Sequence, residues 1–308
     1  MAEDHLPSPP APTIEVCYRH PEVPTRVHCT RCERPICPDC MIPAPVGFQC
    51  PECVAEARRE FRKGPGRPLR GRVSVTNALL VAIAIPFVIE IVVGGPQALV
   101  DPGEQTLFRL GAMQPIAVAS GQFWRLFTAM FLHAGILHIA LNAYFFYLFG
   151  RTVEGTFGRT WMVVIYMVSG FVASVASYAF GPITTLAVGA SGAIAGVFGA
   201  FIAYAYRRRH MAMHAANLRM ALTVIVLNAV IAFGYRAIDW RAHVGGLVAG
   251  FVIGYLADLP SRQRAVAASG GTIALAGVGV ALVLWRTVDI RSIPGFDQLV
   301  VQVFAIFD

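Results

Sequence analysis

The chain has 308 residues, of which 56% are hydrophobic and only 14% charged. Soluble globular chains carry about 25% charged residues, so this composition excludes an ordinary soluble domain and suits a chain that lives in a lipid bilayer. The net charge is +7, but the basic residues flank apolar blocks, which membrane-helix ends explain better than a nucleic-acid surface does; no nucleic-acid partner is expected.

Residues 1–14 read as a disordered tail, and residues 1–60 lack the apolar stretch of a secretory leader. All seven cysteines then fall between Cys17 and Cys53. They form, with one histidine, four pairs of two-residue spacing: Cys17 and His20, Cys29 and Cys32, Cys37 and Cys40, Cys50 and Cys53. Eight such ligands satisfy two closed tetrahedral zinc sites, which are structural rather than catalytic because no coordination position stays open. A disulfide framework would need an oxidising compartment and would leave one thiol over. His28, beside Cys29, is a substitute ligand by type. The layout resembles a cross-braced zinc finger of the B-box kind, which would join the first pair to the third and the second to the fourth; sequential pairing satisfies the same spacing. So short a module buries little core, so the metal is expected to hold it together. The module is expected over 15–56, followed by a basic Gly/Pro linker over 57–74 that includes "RKGPGRPLRGR" (62–72).

A membrane span needs about 20 mostly apolar residues. Seven segments qualify, roughly 75–94, 130–149, 161–180, 189–206, 219–235, 242–258 and 268–286. The flanks and loops of the N-terminal side carry thirteen Lys and Arg and those of the opposite side six. The excess predicts a cytoplasmic N-terminus and an extracytoplasmic C-terminus, in a multi-pass protein of the plasma membrane. The loop 95–129 is half apolar and is expected to lie partly in the outer leaflet, with Trp124 as an interfacial anchor. Glu90 stands near the outer end of the first span, where it is expected to snorkel.

Polar groups inside spans are costly and point to function. His133, His138 and Asn142 stand on the second span, Ser191 at the start of the fourth, "GASGAIAGVFGA" (189–200), and His243 at the start of the sixth. The alternating topology puts His138, Ser191 and His243 at one depth. Ser191, Ala195 and Gly199 form one row of small residues and Gly246, Gly250 and Gly254 another. Such rows let two helices approach closely, which would bring Ser191 to His243. The chemistry implied is acyl transfer, with His243 as general base for Ser191. Oxyanion donors would come from the first turn of the fourth helix, His138 and Asn142. Asp239, one turn before His243, reads as interfacial, so a dyad fits better than a triad.

These marks resemble the rhomboid intramembrane serine proteases: "WR" at Trp124 and Arg125, "HAGILHIALN" with His133, His138 and Asn142, "GASG" at 189–192, and "AHVGGLVAG" with His243. The resemblance covers roughly 75–258. It implies Ser191 as nucleophile and His243 as base, with an oxyanion site from His138, Asn142 and the Ser191 N–H beside Gly189. His133, Trp124, Arg125 and Glu154 would support it, and Glu154 and Gly158 match the turn after the second helix. The fold implied is an all-α polytopic membrane protein: a six-helix core over 75–258, then a seventh transmembrane helix and extracytoplasmic tail over 259–308. The substrates implied are transmembrane proteins in the lipid bilayer, cut near the outer face. A cytoplasmic protein partner for the zinc module is a further expectation. One departure is Ala195, where relatives place Tyr or Phe to stack on the histidine; Phe198 could fill some of that space. The alternative readings are a catalytically weak or inactive rhomboid-like factor that binds or escorts membrane proteins, and a transporter or channel. The former typically lacks the serine or the histidine, and the latter needs a polar route that the inner halves of these spans do not offer.

Overall fold

The structure is a computed structural model that describes residues 15–44, 46–63, 74–234 and 239–307. The chain divides into two compact units, one up to Pro68 and one from Leu69 onward.

The first unit is built from tight turns. In the Cys-x2 pairs the chain folds back on itself, with the His20 N–H donating to the Cys17 carbonyl (3.1 Å), the Glu33 N–H to Cys29 (2.8 Å) and the Cys40 N–H to Cys37 (2.9 Å). A two-residue ribbon comes next, β1 (Ile42–Pro43) antiparallel to β2 (Phe48–Gln49). Helix α1 (Pro51–Lys63) closes the unit, and its proline at the first position sacrifices no helical N–H. The buried centre is Ile36 and the cysteines themselves. Residues 57–63, expected as linker, continue α1; the tail 1–14 and residues 64–73 of the linker lie outside the described residues.

The second unit is a helical bundle. Helix α2 (Val75–Gly94) is followed by three short helices, α3 (Gly103–Leu110), α4 (Pro115–Ala119) and α5 (Arg125–Thr128). Then come α6 (Ile136–Phe157), α7 (Arg159–Phe180), α8 (Ser191–Arg207), α9 (Ala212–Gly234), α10 (Trp240–Ala257), α11 (Ser261–Arg291) and α12 (Phe296–Phe307). Each of the seven expected spans has its helix, but the second starts at Ile136 rather than 130, so His133 lies in the turn before α6 and not on the span, and residue 235 of the fifth lies outside the described residues. Among the described residues four helices are long and apolar enough to cross a membrane by themselves: α2, α6, α7 and most of α11. Helix α8 falls short at 17 residues because it is the centre of the bundle, packed by α6, α7, α9 and α10. A helix wrapped in protein need not match the bilayer, and the irregular chain leading into it is tolerated there for the same reason.

Two polar devices fix the bundle's ends. Glu154, on α6, caps α2: its carboxylate accepts from the Ser74 hydroxyl (2.6 Å), the Val75 N–H (2.8 Å), and the N–H (2.9 Å) and hydroxyl (2.7 Å) of Thr76. An anion belongs at a helix N-terminus, where unsatisfied N–H groups and the positive dipole end meet. Asp258, after α10, accepts a fork from Arg208 (2.6 and 3.0 Å) and the Arg207 Nε–H (2.9 Å), tying α10 to the end of α8.

The loop 95–129 is packed, as its Phe, Leu and Met content requires. Residues 111–119 are all buried, and Trp124 is half exposed. Arg125 is buried, donating to the carbonyls of Phe108 (2.7 Å) and Ala112 (2.9 Å) and to Gln122 Oε1 (2.6 Å). The tail after α11 is not a loose end: α12 lies against α3, with Phe304 and Phe307 on the Phe108 ring (5.6 and 4.5 Å between centroids) and Arg109 donating to the Phe307 carbonyl.

Candidate active site and metal cages

Glycine sets the geometry of α8 against α10. A Cβ added to Gly246 would lie 2.0 Å from the Gly192 carbonyl oxygen, one on Gly250 1.8 Å from that of Gly196, and one on Gly254 2.7 Å from the Ala200 Cα. The two backbones therefore touch along Gly192, Gly196 and Ala200. The expected row of Ser191, Ala195 and Gly199 is displaced by one residue; Gly199 still meets the Leu247 carbonyl and the Phe251 N–H, and Ala195, like Ser191, is partly exposed. Such contact is possible only where small residues stack. It puts the first turn of α8, with Ser191, level with residues 242–246 of α10, where His243 stands.

The chain enters α8 through a paired segment. Met113 and Ala187 exchange two backbone hydrogen bonds (3.0 and 2.9 Å), and the Gly189 N–H donates to the Ala129 carbonyl (2.9 Å). That N–H is thereby taken, so Gly189 is not itself a donor to an oxyanion. What it supplies is room: its φ is +124°, and a Cβ on it would stand 2.9 Å from His138 Nε2 and 3.6 Å from the Ser191 hydroxyl oxygen. His138 thus reaches the start of α8 over a bare backbone.

The tautomer of His138 is set by its other nitrogen. Nδ1 accepts the Ala134 N–H at 3.2 Å; in the neutral ring Nε2 must then carry the proton, and Nε2 is the atom facing Gly189 and Ser191. Asn142, one turn further along α6, is buried, and its Nδ2 has no partner. An unmet amide donor inside a bundle costs free energy unless something accepts from it. A Cβ on Gly192 would lie 3.6 Å from the Ala242 carbonyl oxygen, so the residue preceding His243 stands against the turn that carries Ser191. His133 packs edge-on against His138, 5.3 Å between centroids.

Glu90, Asp239 and Phe198 each find their own partners. Glu90 does not snorkel; it is fully buried and accepts the His133 N–H at 2.8 Å. Asp239 is the N-cap of α10, accepting from the N–H groups of Arg241 (3.1 Å) and Ala242 (3.4 Å) and from the Ser177 hydroxyl. Phe198 does not stand in for the missing aromatic beside His243. It packs on Phe149 of α6, 4.6 Å between centroids.

In the first unit, Cys17, His20, Cys37 and Cys40 form one cluster and Cys29, Cys32, Cys50 and Cys53 another, the ligand atoms of each within 4.8 Å of one another. The pairs are therefore cross-braced. All seven cysteines are free thiols, and His28 lies outside both clusters, paired with Glu15. The thiols do not ionise alike. Burial first, then neighbouring thiols, push Cys40 up to about 11 and Cys53 to about 12. Against burial, backbone N–H groups hold Cys17 and Cys29 down at about 6. Crowded buried sulfurs of this kind are what a divalent cation stabilises, and each donor set has the size of a tetrahedral cage.

Comparison with known proteins matches residues 120–259 to the Rhomboid domain. The chain is 35% identical over 156 residues to rhomboid protease GluP of Bacillus subtilis, covering 51% of this chain and 30% of that protein. It is 31% identical over 149 residues to putative rhomboid protease YdcA of Bacillus subtilis, covering 48% of this chain and 74% of that one. It is also 36% identical over 158 residues to RHOMBOID-like protein 6, mitochondrial, of Arabidopsis thaliana, covering half of each.

Proposed function

This chain belongs to the rhomboid family, and from that premise we propose that it is an intramembrane serine endopeptidase with a Ser191–His243 dyad. One observation carries the reading: His138 Nε2, Gly189 and the Ser191 hydroxyl converge at the start of α8, and the His243 end of α10 is pressed against the same turn.

In the proposed reaction the Ser191 oxygen attacks the scissile carbonyl carbon and its proton passes to His243. The tetrahedral oxyanion accepts from His138 Nε2–H, Asn142 Nδ2–H and the Ser191 N–H, whose place in the first helical turn leaves it without an intrahelical acceptor. The carbon–nitrogen bond then breaks, and the departing amine takes the proton from His243. Water, deprotonated by His243, attacks the acyl-serine, releasing the second product and restoring the hydroxyl. Arg125 and Glu154 touch none of the reacting groups; Arg125 holds the loop 95–129, and Glu154 caps α2 at the other end of α6.

The substrates proposed are transmembrane proteins, cut near the extracytoplasmic face of the plasma membrane, with the N-terminal module in the cytoplasm. The two cages of that module are proposed to hold structural zinc, bound by Cys17, His20, Cys37 and Cys40, and by Cys29, Cys32, Cys50 and Cys53.

The test uses a transmembrane reporter and a fluorophosphonate probe. Ser191→Ala and His243→Ala should each abolish cleavage while the protein stays folded, and the probe should label wild type at Ser191. Because residues acting as a unit are non-additive, the double variant should be no worse than either single one. Full cleavage by purified Ser191→Ala would end the reading.

A further inference from the structure

Helix α2 presents mostly lipid-facing apolar residues, with 17% of its spanning window buried in the protein. Glu90 is buried beside Ile83 and Phe87 on the face turned to the protein, at 0% exposure one turn before the helix ends. A carboxyl group so placed is expensive unless its contacts repay the loss of water. Its Oε1 accepts the His133 N–H at 2.8 Å, and its Oε2 has no protein partner. Residue 90 precedes the residues matched to the Rhomboid domain, 120–259.

That bond matters because of the residues just after His133. The next N–H along the chain, that of Ala134, donates to His138 Nδ1 at 3.2 Å. Gly135 then turns the chain into α6 with a φ of +99°, pressed so closely on Val100 that a Cβ would lie 2.0 Å from its carbonyl oxygen. Consecutive N–H groups thus join α2 to the turn and the turn to His138. The His133 ring, itself at 0% exposure and with neither nitrogen hydrogen-bonded to protein, lies edge-on to the His138 ring. The turn is held from α2 through the His133 backbone N–H by Glu90, beside the Ala134 bond to His138 and the close seat of Gly135 on Val100.

We propose that Glu90 is a positioning residue for the oxyanion site: by accepting the His133 N–H it fixes the turn 133–135, and that turn aims His138 Nε2 at Ser191. The inference rests on the protease reading above. What it requires of position 90 is an acceptor of the right length, not a negative charge.

The experiment compares Glu90→Leu and Glu90→Gln in the full chain, with wild type and Ser191→Ala alongside. Reporter cleavage, fluorophosphonate labelling and thermal unfolding are measured together. Losing an oxyanion donor costs about 100–1,000-fold and a misplacement of about 1 Å about 100-fold, so Glu90→Leu should lower kcat by about 10- to 100-fold with KM unchanged, and labelling should slow in proportion. Glu90→Gln keeps a carbonyl acceptor and should retain kcat within about threefold of wild type on the same scale. In a His138→Ala background Glu90→Leu should cost nothing further. A Glu90→Leu variant at wild-type kcat overturns the proposal, as does Glu90→Gln falling as far as Leu, or a full additive loss in the His138→Ala background. If Glu90→Leu loses its unfolding transition, the Gln variant decides: wild-type-like kcat supports the proposal and a tenfold loss sinks it. Wild type that neither cleaves nor labels at Ser191 would remove the protease reading itself.

Discussion

Gly250 is the most exacting place to test the contact between α8 and α10. A methyl group there would stand 1.8 Å from the Gly196 carbonyl oxygen and 2.3 Å from its carbon. These are backbone atoms, and no rotamer change moves them away. Restoring ordinary contact, about 3.4 Å, requires the two helices to part by about 1.6 Å. The helices are pinned at their far end by Asp258, Arg207 and Arg208, so the separation is felt at the opposite end, where α8 begins with Ser191 and α10 carries His243. Overpacking of this kind costs about 1–3 kcal/mol, and a shift of about 1 Å in reacting groups about 100-fold in rate. Gly250→Ala should therefore lower both the unfolding temperature and reporter cleavage, the latter by about two orders of magnitude. Gly277→Ala, on α11, is the control, because a Cβ there meets nothing within 4 Å. That change should leave cleavage intact and stabilise by up to about 1 kcal/mol through helix propensity. Thermal unfolding beside cleavage of a reporter in proteoliposomes reads both. Gly250→Ala at wild-type rate and stability would show that the backbones do not touch here, and the geometry joining Ser191 to His243 would fall with them.

Asn142→Ala should lower turnover by about 100–1,000-fold while probe labelling of Ser191 persists at a slower rate; cleavage at wild-type speed would make Asn142 a packing residue. The full chain should contain two zinc ions by metal analysis, and Cys29→Ser should weaken only the site shared with Cys32, Cys50 and Cys53, whereas sequential pairing would link Cys29 to the first site. Removing the metal with a chelator should unfold the N-terminal module and leave reporter cleavage intact, since no proposed catalytic group lies in it; a chelator that stops cleavage by the folded core refutes this. Ala195→Phe should raise turnover without shifting the cleavage site, because position 195 shares the partly open face of α8 with Ser191 and Phe198 is engaged on Phe149; loss of stability at unchanged rate would show that no pocket exists there.

The candidate site residues Ser191, His138, Asn142 and His243 stand out in the sequence because each is a polar side chain set against an apolar span. The metal cages were legible because ligand spacing is local, though only the fold of the module could choose cross-bracing over sequential pairing. The rotation of α8 was not legible. In "GASGAIAGVFGA" small residues occupy so many positions that more than one row of four-residue spacing is available, and steric size alone does not decide between Ser191–Ala195–Gly199 and Gly192–Gly196–Ala200. The burial of Glu90 was hidden for another reason. It depends on residues 95–135 folding back over the end of α2, a long-range packing event that position within a helix does not reveal. Helix α12 left a signal in "FDQLVVQVFAIF", whose polar residues cluster on one side. Its docking site, however, is formed by residues some two hundred positions earlier.

The docking of α12 has a consequence for the order of assembly. The backbone pair Met113–Ala187 couples the loop 95–129 to the segment that presents Ser191. That loop is held in turn by Arg291, whose Nε–H donates to the Ala119 carbonyl, and by Phe307, whose carbonyl accepts from Arg109. A ribosome adds about 5–20 residues per second, so these last braces arrive on the order of several seconds after His243 has been synthesised. The proposed dyad is thus complete in composition before its scaffold is complete in space. A nascent chain passes through an interval in which it carries the candidate reacting groups but lacks the clamp around them, and the segment from Arg291 to Phe307 ends that interval.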